Sequence, residues 1–158
     1  ARESKGEILL FLHADTELPE DGLKMISSAL EDPAVAGGRF RLGLDEEGWQ
    51  FRLISKASTW RSRLLGITYG DQGIFCRSSV FRKVSGFPNL EIFEDSEFCD
   101  RVEQEGRFVL LAGSVCSSAR RWRRSGVWVT IVWMWVLRVL FKLSVSDSRL
   151  RKWYRNVR

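Results

Sequence analysis

Two adjacent carboxylates, Glu94 and Asp95, follow the loop Gly86-Phe87-Pro88-Asn89 and open a segment whose spacing predicts a short helix over 96–105. Phe98, Cys99 and Val102 fall on its inner face, and Gly106 stops it. A carboxylate at that position meets the positive end of the helix dipole, which favours its ionised form. Held rigidly there, it can act as a general base toward a hydroxyl. Asp and Glu are also common helix caps, so the pair alone does not separate catalysis from capping. Asp15 follows a continuous apolar run, Ile8-Leu9-Leu10-Phe11-Leu12, and would stand just past the carboxyl end of a buried strand, where ligands sit in open α/β sheets. A carboxylate there can hold Mg2+ or Mn2+ against phosphates. His13, two residues earlier, offers a nitrogen that favours Mn2+. The alternatives are a turn residue and a satisfied histidine.

Asp71 and Gln72, within Gly70-Asp71-Gln72-Gly73, are candidates for substrate or diphosphate contacts; a glycine-turn role for Asp71 stands beside that reading. Arg120, Arg121, Arg123 and Arg124, with Trp122 among them, can clamp a diphosphate through forked guanidinium hydrogen bonds. A solvated basic loop has the same composition.

The elements that must position these residues follow from pattern. The run at 8–12 reads as a strand buried on both faces, as in a parallel sheet. A helix starts at Pro19-Glu20-Asp21 and ends at Asp32-Pro33. A strand pair is expected over 34–40 and on to Leu44, with Gly37-Gly38 marking a bulge or close backbone approach. Trp49, Leu53, Ile54, Ala57, Trp60, Leu64 and Leu65 recur at helical spacing, with Gly66 as the cap. Short strands are predicted at 74–77 and 108–111, with a short helix through Val84 between them. The alternation indicates an α/β layered fold with a mixed sheet.

At 158 residues the chain has the length of one domain. Cys76, Cys99 and Cys116 are odd in number and widely spaced, which suggests neither a disulfide framework nor a zinc site and makes a reducing, cytoplasmic compartment the expectation. The charged opening, residues 1–7, has no signal-peptide pattern. The net charge of +5 is unevenly spread: residues 118–158 hold 11 Lys/Arg against one acid, Asp147, and residues 1–117 hold 14 basic against 19 acidic residues. A basic tail carrying five of the seven tryptophans points to an anionic partner. Residues 127–143 are almost wholly apolar, about 26 Å as a helix at 1.5 Å per residue, short of a bilayer core of about 30 Å. Thr130, Met134, Arg138 and Lys142 make a narrow polar stripe, so a helix lying on a membrane surface or packed on the body is expected rather than a span. Nucleic acid is not expected, because the tryptophans lie in an apolar run rather than among exposed basic residues.

Taken in order, Leu10-Phe11-Leu12-His13-Ala14-Asp15-Thr16, Gly37-Gly38-Arg39-Phe40, Tyr69-Gly70-Asp71-Gln72-Gly73-Ile74-Phe75, Gly86-Phe87-Pro88, Glu94-Asp95 and Ser118-Ala119-Arg120-Arg121-Trp122 resemble the family-2 glycosyltransferases of the GT-A fold, a Rossmann-related architecture. The closest likeness is to the radical-SAM/selenodomain-associated transferase 2 subgroup. The resemblance implies transfer of a sugar from a nucleotide-diphosphate donor to an acceptor hydroxyl on a glycan or lipid, with inversion and Mn2+ or Mg2+. His13-Ala14-Asp15 stands where that family has its DxD motif, Asp95 at its catalytic base with Glu94 beside it, and Arg120-Arg121-Trp122 at its QxxRW element without the leading Gln. It further implies an N-terminal nucleobase-binding unit of roughly eighty residues built from βαβ units. Residue 1 lies only a few residues before the Asp15 strand, so the chain is expected to lack that unit. Residues 1–117 would then be a partial catalytic domain, and 118–158 a basic loop, apolar helix and basic tail with peripheral contact to an inner membrane. A non-catalytic, membrane-binding relic is the alternative.

Overall fold

A computed structural model describes residues 3–120, 123 and 126–155. In chain order these form β1 (Ile8–Phe11), β2 (Thr16–Glu17), α1 (Gly22–Ala29), β3 (Val35–Leu44), α2 (Trp49–Leu65), a 3-10 turn (Gly70–Gln72), β4 (Ile74–Arg77), α3 (Ser78–Lys83), α4 (Glu94–Glu105), β5 (Arg107–Ser117), α5 (Val127–Lys142) and α6 (Asp147–Arg155). The five strands make one mixed sheet in the order β1-β4-β3-β5-β2. Only β3 and β5 run parallel; the other three pairings are antiparallel.

Strand alternation sends successive side chains to opposite faces, and the sheet is covered on both. Phe75 faces Ile26 of α1 and Leu30 just after it, together with Phe40, Leu42 and Val115. Its neighbours Ile74 and Cys76 face Phe98, Cys99 and Val102 of α4. Phe11, Phe81 and Phe87 close around Phe98, with the Phe87 and Phe98 rings stacked at 4.2 Å. Gly37 and Gly38 sit where β3 crosses its neighbours most closely: a Cβ would lie 2.5 Å from the Phe75 carbonyl at the first and 2.5 Å from the Val109 carbonyl at the second. The close approach expected there is present, and a register shift falls between Val35 and Gly37.

Three expectations are corrected. The 8–12 run is not a strand buried on both faces of a parallel sheet: β1 pairs antiparallel with β4 alone among the described residues, and only Leu9 is buried along it. The run is apolar because Phe11 joins the Phe98 cluster while Leu10 meets the opposite core, so each face is half covered. The strand pair at 34–44 is instead one ten-residue strand, kept continuous because bulges absorb its irregularities. The strand expected at 108–111 runs from Arg107 to Ser117, since pairing with β3 on one side and β2 on the other satisfies its backbone beyond the apolar stretch.

Of the two placements expected for the apolar helix, α5 packs on the body. Leu137 of α5 and Leu150 of α6 are fully buried against Ile92 and Phe93. Its polar stripe faces inward: Thr130 and Arg138 are buried, Met134 is half-buried, and only Lys142 is exposed. Trp128, Val129, Val132, Trp135, Val136 and Val139 are left exposed on the outer side. No helix among the described residues is long and apolar enough to cross a membrane.

Candidate active site

The helix α4 starts two residues earlier than its apolar spacing suggests, so Glu94 and Asp95 lie inside its first turn. Phe93, just before it, has a left-handed backbone (φ 63°), an unusual conformation for a bulky side chain. It is held by burial: the ring stacks with Tyr69 at 6.3 Å, meets Phe141 at 5.3 Å and lies 5.6 Å under the Arg138 guanidinium. Backbone strain of this kind persists where packing over-determines it, often at functional sites.

That geometry turns the Asp95 carboxylate back over the helix start. Its Oδ1 accepts the Ser96 N–H at 2.7 Å, and its Oδ2 accepts the Gly70 N–H from the 3-10 turn. A Cβ on Gly70 would lie 2.6 Å from His13 Nε2 and 3.3 Å from Asp95 Oδ2, so the imidazole and the carboxylate both crowd this glycine. The turn is itself anchored by Gln72, which is fully buried. Gln72 Nε2 donates to the Phe40 carbonyl at 3.3 Å and to Ser62 Oγ at 3.0 Å, while its Oε1 accepts the Tyr69 N–H at 3.3 Å.

Around Asp95 opens a cleft of about 1110 Å³ between α2, the 67–71 and 89–95 segments, α5 and the end of α6. His13, Asp71, Glu94 and Asp95 line it, as do Arg61, Tyr69 and Arg138. Asp15 and Arg120 do not line it; they face each other at 3.9 Å, with side chains 50% and 81% exposed. Arg121, Trp122 and Arg124 lie outside the described residues. Of the residues singled out by spacing, four therefore converge on one cleft, Asp15 and Arg120 pair outside its lining, and Gln72 supports the turn from behind.

Comparison with protein-family models, with curated proteins and with solved structures returned no match. What the site can do thus rests on its own geometry.

Burial pushes the Asp95 carboxyl up to about 6, against the pull of the Gly70 and Ser96 N–H groups, and the Glu94 and Asp71 carboxylates add to the rise. The helix start alone suggested a carboxylate favoured as the anion; desolvation outweighs it here. A carboxyl that changes charge near pH 6 is well matched to proton abstraction around neutrality. Burial also holds the Arg61 guanidinium below its ordinary value and the Tyr69 hydroxyl above its own.

The raised Asp95 value has a consequence for stability. Between the ordinary carboxylate range and about pH 6 the folded state keeps a proton that the unfolded state has lost. Stability from this group is therefore full at low pH and falls as pH rises toward 6, by at most about 3 kcal/mol. Urea unfolding of wild type and Asp95→Asn in EDTA, from pH 4 to 7, should show the downward slope in wild type and a shallower one in the variant. Equal slopes would contradict the burial of this charge.

Arg61 and Arg138 are the cleft residues that spacing did not reveal. Arg61 lies on a helix whose pattern spoke only of its apolar face, and Arg138 read as a cost to membrane insertion. No local signal shows that two helices 77 positions apart in sequence face one cavity.

A divalent ion fits only the simplest arrangement. Among the described residues no three His, Cys, Asp or Glu side chains gather to hold a metal. Asp15 is a half-exposed carboxylate whose nearest described cation is 3.9 Å away, which suits Mg2+ or Mn2+ bound by one or two carboxylates together with substrate phosphates.

Proposed function

We propose that the protein is an inverting glycosyltransferase of the GT-A, family-2 type, moving a sugar from a nucleotide-diphosphate donor to an acceptor hydroxyl. The observation that carries this reading is Asp95: a carboxyl fixed by two backbone N–H groups in the wall of a cleft large enough for a sugar and an acceptor, where burial pushes it up to about 6. Asp95 takes the proton of the acceptor hydroxyl as its oxygen attacks the anomeric carbon. The bond from that carbon to the diphosphate oxygen breaks, and the diphosphate leaves with the electron pair. Glu94, exposed beside Asp95, adds negative charge that keeps the base proton-seeking. Asp71 supplies a polar group in the cleft wall for the sugar or the acceptor, and Arg120 a cation beside Asp15 for the diphosphate. Mn2+ or Mg2+ held by Asp15, with His13 the nearest imidazole in sequence, would neutralise charge on that leaving group.

A second, membrane-binding reading is favoured by the outer side of α5. Exposed Val132, Trp135, Val136 and Val139 border a shallow apolar trough of about 380 Å³ whose residues Ile131 and Trp135 also line the large cleft. Exposed Lys142, Arg149, Arg151 and Lys152 lie on α5 and α6. An apolar face flanked by cations suits an anionic bilayer surface on the cytoplasmic side. The two readings are compatible for a lipid acceptor, and one paired experiment tests them. Consumption of a panel of nucleotide-diphosphate sugars with Mn2+ is expected for the transferase. Co-sedimentation with vesicles containing anionic lipid, weakened severalfold by Trp128→Ser with Trp135→Ser, is expected for the surface helix. Vesicle binding without turnover of any donor would leave the membrane module alone standing.

A further inference from the structure

Two guanidinium groups in the cleft wall have no carboxylate within ion-pair distance among the described residues. Arg138 is 9% exposed; its Nη1 donates to Ser96 Oγ at 2.9 Å, and its Nε has no hydrogen-bond partner. Arg61 lies over the Tyr69 ring at 4.2 Å; its Nη2 donates to Ser58 Oγ at 3.1 Å, and its Nε likewise has no partner. Neither belongs to an ion pair among the described residues. The charges of Asp71 and Asp95 act on Arg61, and that of Asp100 on Arg138. The two cations also oppose each other: Arg138 is among the charges that make the Arg61 proton easier to lose.

Burying charge without a partner is unfavourable, and lining one cleft with two like charges that repel each other is more so. The arrangement becomes reasonable if the cavity they share receives an anion. Guanidinium forks match carboxylate and phosphate oxygens, and in a site shielded from water each such hydrogen bond is strengthened. The position is informative as well. Ser96, which Arg138 holds, follows Asp95 directly, and Tyr69, beneath Arg61, precedes the Gly70 whose N–H binds Asp95. The anion would therefore sit next to the base, away from the Asp15–Arg120 pair outside the cleft lining.

We propose that Arg61 and Arg138 form an oxyanion site beside Asp95, and that it receives a phosphate or carboxylate group carried by the acceptor close to its reacting hydroxyl. The acceptor half of this inference rests on the transferase reading; the oxyanion site does not. Such a site would orient the acceptor and discriminate against uncharged alcohols, because a neutral ligand would leave both guanidinium groups unpaired.

Calorimetric titration of the full chain with inorganic phosphate and, separately, acetate, in EDTA and at constant ionic strength, tests the site. Saturable binding of at least one anion is expected, weakened tenfold or more by Arg61→Gln and by Arg138→Gln, and retained by Arg82→Gln, an exposed arginine of α3. Arg138 also supports Phe93 and Ser96, so if its variant fails to fold by circular dichroism, Arg61→Gln decides, with Arg61→Lys expected to recover part of the affinity. No binding by folded wild type, binding unchanged in Arg61→Gln, or an equal loss in Arg82→Gln would overturn the site. Glycerol 3-phosphate should bind with the same arginine dependence and glycerol should not; equal binding of the two would overturn recognition of an anionic acceptor. Anion binding without sugar transfer from any donor would refute the transferase reading and keep the site. Transfer to neutral acceptors undiminished by Arg61→Gln would keep the transferase reading and refute recognition of an anionic acceptor.

Discussion

Asp95→Asn in the full-length protein should lower sugar transfer by about 10²–10⁴-fold and change donor affinity by no more than about twofold, the range expected when a placed general base is removed. The substitution keeps size and shape and retains one oxygen for the Ser96 or Gly70 N–H, so the start of α4 should survive. What disappears is the ability to accept a proton from the hydroxyl. Wild-type turnover under subsaturating acceptor should fall as pH drops through about 6, where Asp95 becomes protonated, and the residual rate of the variant should lack that limb. Donor titration beside the rate measurement makes the result specific. Loss of donor binding together with turnover would remove Asp95 from the role of base and return it to that of a helix-start residue.

Phe98→Ala should destabilise the fold by about 3–5 kcal/mol, the usual cost of deleting a fully buried aromatic ring. Phe98 has no exposed surface and meets Phe11, Phe81 and Phe87, so its ring joins β1, α3 and the 86–88 loop to α4. These segments cannot close the gap without moving β1, which has one strand partner among the described residues. Because α4 also carries Asp95, the variant should lose activity on mild warming before wild type does. Urea unfolding at pH 7 gives the free energy; a loss below about 1 kcal/mol would mean that the aromatic cluster rearranges freely, contrary to a core packed at crystal-like density.

Much of the local structure is readable from residue order. The stop at Gly66 follows from a glycine in the left-handed region, and the inner face of α4 from the spacing of Phe98, Cys99 and Val102. The close approach at Gly37 and Gly38 follows from two glycines inside a strand pattern. Strand partners were less legible. The apolar run of β1 resembles a central parallel strand because a strand with different cores on its two faces has the same composition. The length of β5 was hidden because its distal half, Ala112-Gly113-Ser114-Val115-Cys116-Ser117, has only one large apolar residue to mark it, while its pairing with β3 and β2 comes from distant parts of the chain.

The candidate site divides in the same way. Glu94, Asp95, Asp71, His13 and Asp15 are marked by type and spacing, since carboxylates and imidazoles beside loops are where proton and metal chemistry is available. Their chemical state is not. Asp95 at a helix start should favour its anion, yet tertiary burial drives its titration upward, because desolvation depends on what packs around the group and not on its neighbours in sequence. Gln72 looks like a ligand-facing amide until α2 and β3 are seen to enclose it. Sequence by itself determined which residues have the chemistry and which segments are helix or strand, because those follow from side-chain type and short-range period. Only the tertiary structure decided that α2 and α5 bring Arg61 and Arg138 to the same cleft as Asp95, since contact between distant elements and the electrostatics it creates are set by packing.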